Sequence, residues 1–220
     1  MRNLLNSITV QSKITDTVTV MFSGGKDSVV TLDLCRRYFH TVNMAFMYYV
    51  PRLTYQEKII RHFERLYHID CIRVPHFDLS AMLRYGLYRP YDLSVPIVRP
   101  IEIDNYIREQ TGCKWLAGGE RIADSVIRRA MIKKSGSIDE KRMRFYPLAE
   151  WTKSEVLSYI QKHQLPLSDQ YRVNGLNTVH FGKQWLQSIK QNYPADFERV
   201  KSWFPLCEVG LYGENEASAL

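Results

Sequence analysis

No stretch of the sequence is apolar over the length that a bilayer crossing needs, and the opening residues MRNLLNSITVQSK lack the apolar block of a secretory leader. Both absences set the expectation of a cytoplasmic protein with no membrane partner. Cysteine is scarce: Cys35, Cys71, Cys113 and Cys207 are the only four, with no Cys-x-x-Cys and no adjacent pair. Zinc and iron–sulfur sites are usually built from close ligand pairs. This spacing therefore predicts no metal held by cysteine and no iron–sulfur cluster, and buried thiols instead. Internal repeats and low-complexity tracts are missing too. The Walker spacing G-x-x-x-x-G-K-[ST] occurs nowhere.

What is present fits one α/β domain with a small extension. The chain has 220 residues, 45% of them hydrophobic, enough to bury a sizeable core. Its formal charge is +7, which favours polyanionic partners. Residues 121–144 hold eight Lys/Arg against three Asp/Glu, a difference of +5. That segment is either a solvated face or a contact for nucleic acid or an acidic protein. Alternatively Lys133, Lys134, Lys141, Arg142 and Arg144 belong to a loop that closes over a polyphosphate.

Hydrophobic patterning places strands at residues 18–22 (VTVMF), 43–50, 71–75 and 113–119. Helices are predicted over 55–67, 79–85, 103–110, 182–192 and 194–204, with another from a Thr152–Glu155 capping box through His163. Asp27 or Ser28 is the expected N-cap of a helix carrying Val29, Val30, Leu34 and Tyr38. Alternating strands and helices imply a parallel sheet of about five strands with helices on both faces, and ligands beyond the strands' carboxyl ends. The predicted division is an α/β domain at 1–171 and a helical C-terminal extension at 172–220.

Two glycine turns, Gly24-Gly25 and Gly118-Gly119, each follow a predicted strand and precede a helix. Glycines let backbone N–H groups approach an anion, and the following helix offers unpaired N–H groups and its positive dipole end. Ser23, Gly24, Gly25, Lys26, Asp27 and Ser28 (SGGKDS) resemble the PP-loop of the ATP pyrophosphatase group, whose members split ATP between the α- and β-phosphates. In GERIADSVIRR, Gly119, Arg121, Asp124, Ser125 and Arg128 resemble a G-x-R-x-x-E-S-x-x-R element of the phosphoadenosine phosphosulfate (PAPS) reductase family and its ATP sulfurylase small-subunit relatives. Asp124 stands where that family usually has Glu. Arg121 and Arg128, about two helical turns apart, suit phosphate or sulfate by forked hydrogen bonding. FYPLAEWTKSEVL and the following Leu-Pro continue the likeness.

The resemblance implies a three-layer adenine nucleotide alpha-hydrolase-like fold that binds ATP, or PAPS or its unphosphorylated analogue APS. Lys26, Asp27, Arg121 and Arg128 would be catalytic, with Ser23, Gly24, Gly25, Lys26, Asp27, Ser28, Gly118, Gly119, Asp124 and Ser125 holding the nucleotide. Magnesium is expected with ATP, Asp27 being its nearest carboxylate. A homo-oligomer or a subunit of a larger complex is expected, and a non-catalytic accessory module is the reading from another class. Reductases of the family carry a C-terminal Glu-Cys-Gly-x-His. Here Cys207 precedes Glu208 and no histidine follows, whereas the intact SGGKDS matches ATP-using relatives. Three weaker candidates remain: Cys207 as a nucleophile, His76 at the site's edge, and the aromatic and basic stretch RYGLYRPYDL at 84–93 for stacking on a base. His163 and His180 read as surface residues.

Overall fold

The computed structural model of the chain describes residues 4–168 and 181–212. His180 and the domain boundary at 171/172 lie outside the described residues. The first strand, β1 (Thr17–Met21, TVTVM), is buried on both faces and β-branched at most positions, as the interior strand of a parallel sheet must be. It is followed by β2 (Thr41–Tyr48), β3 (Cys71–Pro75), β4 (Leu116–Ala117), β5 (Ile138–Asp139) and β6 (Arg144–Phe145). These form one sheet in the order β3-β2-β1-β4-β6-β5. All pairings are parallel except β5 with β6. The sheet thus has six strands where about five were expected. The additional pair is a two-residue hairpin inside the basic segment, too short to show any period.

The chain runs outward from β1 through β2 to β3 and then returns across the sheet to β4, on β1's other side. Right-handed crossovers place the outward helices on one face and the returning helix on the other. The outward pair is α2 (Lys26–Tyr38) and α3 (Thr54–Tyr67), and their residues share one core with Val18, Val20, Met44 and Phe46. After α4 (Phe77–Tyr85), α5 (Pro100–Thr111) covers the opposite face, where Ile103 and Ile107 pack with Ala45, Val74 and Leu116. Alternation along β2, with Met44 and Phe46 to one side and Ala45 to the other, is the two-residue period of a strand covered on both faces.

The reversal of direction between β1 and β4 is a topological switch point, the crevice where such sheets take ligands. Both glycine turns leave the sheet there.

A short helix, α1 (Asn6–Gln11), seats Ile8 in the main core, and the Trp151 indole N–H donates to the Leu4 carbonyl at 2.8 Å. Six residues span under two turns, so no periodic signal announced it. Beyond β4 come α6 (Val126–Ser135) and α7 (Lys153–Lys162), the latter opened by the anticipated Thr152–Glu155 capping box. The C-terminal helices α8 (Lys183–Asn192) and α9 (Pro194–Trp203), with a 3-10 turn at Cys207–Leu211, build a second core with Val50, Leu53, Tyr55 and Leu79. Asp196 of α9 fixes this docking. Only 1% exposed, it accepts from the Thr54 and Tyr55 amides at 2.9 and 3.2 Å and from the Thr54 hydroxyl at 2.7 Å. It therefore supplies, from another helix, the cap that Leu53 cannot give to α3.

Candidate nucleotide-binding site

The turn after β1 is shaped by Gly24, whose φ of 74° lies in the left-handed region that a side chain disfavours. Gly25 is the N-cap of α2, in place of the expected Asp27 or Ser28, and no side chain caps the helix. The reason is visible in the hydroxyls. Ser28 donates back to the Gly25 carbonyl at 2.9 Å, and Ser23 donates to Ser28 at 3.2 Å while accepting from the Gly25 amide at 3.4 Å. The serines brace the turn and leave the leading amides of α2 without a side-chain cap, the arrangement that suits an anion.

The second turn meets the first. A Cβ placed on Gly119 would lie 3.1 Å from the Asp27 carbonyl carbon and 3.2 Å from the Ser28 amide nitrogen, so only glycine lets the end of β4 come this close to α2. Gly118 is buried just before it, with the Glu120 carboxylate folded over it. One oxygen of Glu120, Oε2, is buried without a hydrogen-bond partner. Nothing in the sequence pointed to Glu120.

The charged residues form an alternating chain. Lys26 is ion-paired with Asp27. Arg121, 4% exposed, places Nε 3.0 Å from Asp27 Oδ1. That distance makes an ion pair, but the atoms are off the line of a hydrogen bond, and both are buried without a hydrogen-bond partner. Arg121 Nη2 reaches Asp124 at 2.6 Å, and its amide donates to the same carboxylate at 2.9 Å. Arg128, half exposed, lies 3.4 Å from Asp124. Ser125 caps α6, accepting from the Arg128 amide at 3.2 Å.

Lys26, Asp27, Ser28, Gly119, Arg121 and Asp124 are therefore drawn together by the fold. The expected pair of guanidinium forks on one helix is not what forms. Arg121 precedes α6 in a buried turn, where carboxylates on either side engage it, and only Arg128 reaches the helix surface. Asp27 likewise does not fit the role of an open magnesium ligand, since two cations already compensate its carboxylate.

The remaining candidates separate. Arg144 is not a lid residue: it forks onto Asp104, with Nε 2.9 Å from Oδ2. Burial works against its charge, but the Asp104 carboxylate outweighs burial and raises its pKa. Arg142 sits 3.7 Å from Asp139, and its carbonyl accepts from Arg108 at 2.6 Å. Lys133, Lys134 and Lys141 are exposed. His76 is structural: its ring lies 4.4 Å from Tyr49 and 4.2 Å from Phe77 between centroids, and it caps α4 by accepting from the Asp78 amide. Burial lowers its pKa despite Asp78. Within 84–93, Tyr85 and Tyr91 are exposed, while Arg84 and Arg89 donate to the carbonyls of Val95 and Trp203. Cys207 is fully buried in the second core, and burial pushes its thiol pKa up, opposite to what a nucleophile needs.

A parallel sheet with a glycine–lysine anion cradle at its switch point defines a nucleotide-binding α/β protein of the PP-loop class. The match to the phosphoadenosine phosphosulfate reductase domain spans residues 17–179, and the chain belongs to that family. Its fold is that of the PAPS reductase from Candida auris in its phosphate complex, at TM-score 0.54 and 13% identity over 78% of this chain and 85% of that one. Two further structures align over more of the chain with less overlap in space. The U34-tRNA thiolase NcsA from Methanococcus maripaludis, with its [4Fe-4S] cluster, gives TM-score 0.47 at 17% identity, covering 99% of this chain and 86% of that one. The NH3-dependent NAD synthetase from Campylobacter jejuni gives 0.46 at 13%, covering 94% and 90%. No curated protein matches the sequence.

The thiolase overturns one expectation. The expectation of no iron–sulfur cluster does not stand: the thiolase carries a [4Fe-4S] cluster, and all four cysteines here are buried. In this chain Cys35 lies in α2, Cys71 opens β3, Cys113 precedes β4 with its sulfur 3.0 Å from Asn43, and Cys207 opens the 3-10 turn. Among the described residues no three His, Cys, Asp or Glu gather to hold a metal ion. No helix among the described residues is long and apolar enough to cross a membrane.

Proposed function

We propose that the chain binds ATP across the two glycine turns and cleaves it between the α- and β-phosphates, adenylating a second substrate in sulfur or nucleic-acid modification chemistry. The observation that carries this reading is the approach of Gly119 to the Asp27–Ser28 backbone, which makes a single cradle from turns distant in sequence. An oxygen of the acceptor attacks the α-phosphorus. The bond from that phosphorus to the bridging oxygen breaks, and its electron pair leaves with pyrophosphate. Lys26 and the leading amides of α2 neutralise the charge that develops on the leaving group, and in-line positioning supplies most of the rate without a general base. Asp27 is ion-paired with Lys26. The phosphates take over that cation while Arg121 keeps Asp27 in place. A sulfonucleotide reductase would need a reactive thiol, and the burial of Cys207 lends that reading no support.

The test is pyrophosphate release from ATP by purified protein, combined with mass spectrometry of co-purifying small molecules. Recovered ATP or AMP is the expected result; a 3′-phosphorylated sulfonucleotide would overturn the reading. Lys26→Ala is expected to remove about 2–5 kcal/mol of ATP binding free energy, by calorimetric titration. Unchanged affinity would take the turn out of the mechanism.

A further inference from the structure

A cleft of about 590 Å³ opens at the outer end of the sheet, on the face that carries α3. Its size is within the range of small-molecule and nucleotide pockets. Tyr48 of β2 and Arg73 of β3 form its floor, Glu57 of α3 one wall, Arg199 and Trp203 of α9 the other, and Arg52 its rim. Arg199 and Trp203 lie beyond the residues of the family match, so the cleft is built partly by the C-terminal helices.

The charges are unevenly satisfied. Arg73 is spent within the protein, with Nε 3.0 Å from Glu57 and Nη1 2.8 Å from Glu64, and those two carboxylates leave the floor without positive charge to offer. Arg52 and Arg199 are exposed, and among the described residues neither has a carboxylate partner. They are also held together. Arg52 has φ 61°, a left-handed conformation that a long side chain adopts only where neighbours impose it. Arg199 donates from Nη1 to the Arg52 carbonyl. Arg52 and Arg199 thus line one cleft together with two half-buried rings, Tyr48 and Trp203. Forked donors match a phosphate, and flat aromatic faces accept any base by stacking. The open rim suits a strand passing through more than an enclosed metabolite.

We infer that this cleft binds a nucleotide unit of single-stranded nucleic acid, its phosphate between Arg52 and Arg199 and its base against Tyr48 or Trp203. The inference does not depend on ATP cleavage at the glycine turns. The test is fluorescence anisotropy of the full chain with labelled ten-nucleotide single-stranded RNA and DNA, and with AMP as competitor. Arg52→Gly retains the left-handed backbone without strain, so its thermal midpoint is expected at or above wild type. Together with Arg199→Gln it should weaken strand binding at least about tenfold and flatten the dependence of log affinity on log salt by about one for each arginine removed. Lys26→Ala should leave strand binding unchanged while losing ATP, which separates this site from the glycine turns. Strand affinity unaltered in the folded double variant, or no strand binding at all, overturns the proposal. Binding of AMP alone, lost in the same variants, assigns the cleft to free nucleotide and overturns the strand.

Discussion

Asp27 sits where the charges of the site converge. Lys26 holds it from its own helix, Arg121 from the far turn, and Arg121 is itself held by Asp124. Lys26, Arg121 and Arg128 share the carboxylates of Asp27 and Asp124, so most of the positive charge of the cradle is compensated within the protein. The contact that permits the chain is steric rather than electrostatic. A methyl group at Gly119 would press on two backbone atoms at 3.1 and 3.2 Å, and backbone cannot swing aside as a side-chain tip can. Gly119→Ala is therefore expected to destabilise the protein by about 1–3 kcal/mol in urea unfolding and to weaken ATP binding in the same preparation. Wild-type values on both measurements would remove the close approach from the argument.

At the scale of elements, three helices are joined through one carboxylate. Asp33 of α2, 4% exposed, accepts from Arg37 at 2.8 Å, from Tyr67 of α3 at 2.8 Å and from Tyr159 of α7 at 2.7 Å. Burial is the largest single influence on it and acts to raise its pKa, but the three donors together prevail and the pKa is lowered. A carboxylate whose folded pKa lies below its unfolded value, about 3.9, contributes stability that is complete above that value and fades as pH falls through the folded one. Asp33→Asn should thus cost about 2–3 kcal/mol at pH 7, with the gap to wild type closing below about pH 4. The check is urea unfolding across pH 3–7, and a gap independent of pH would show that the charge contributes nothing. Such a junction is invisible in sequence. The helices α2 and α3 were legible through repeating apolar spacing and α7 through its capping box, whereas nothing in the sequence singled out Asp33, Tyr67 or Tyr159.

For the whole molecule, the C-terminal helices complete the structure rather than trail from it. Trp185 donates its indole N–H to the Tyr55 hydroxyl at 2.9 Å, and Asp196 caps α3. Asp196→Ala would leave the Thr54 and Tyr55 amides without their carboxylate partner, the second of them at a buried residue, at a cost of about 1–3 kcal/mol. Denaturant titration followed by tryptophan fluorescence tests it; a loss under about 0.5 kcal/mol, the range of ordinary surface changes, would mean water replaces the carboxylate. The same docking gives the cleft its Arg199 and Trp203 wall.

Local chemistry determined much of this protein by itself. Strand and helix periodicity, two glycine turns after strands, and the SGGKDS motif are properties of short windows, because backbone sterics and hydrophobic spacing act over a few residues. That Gly25 rather than Asp27 or Ser28 is the N-cap of α2, that Arg121 is buried between two carboxylates while Arg128 is half exposed, and that Arg144 answers Asp104 instead of a ligand were decided by tertiary structure. Burial and ion pairing depend on which distant groups share a low-dielectric space, and only the folded chain chooses those neighbours.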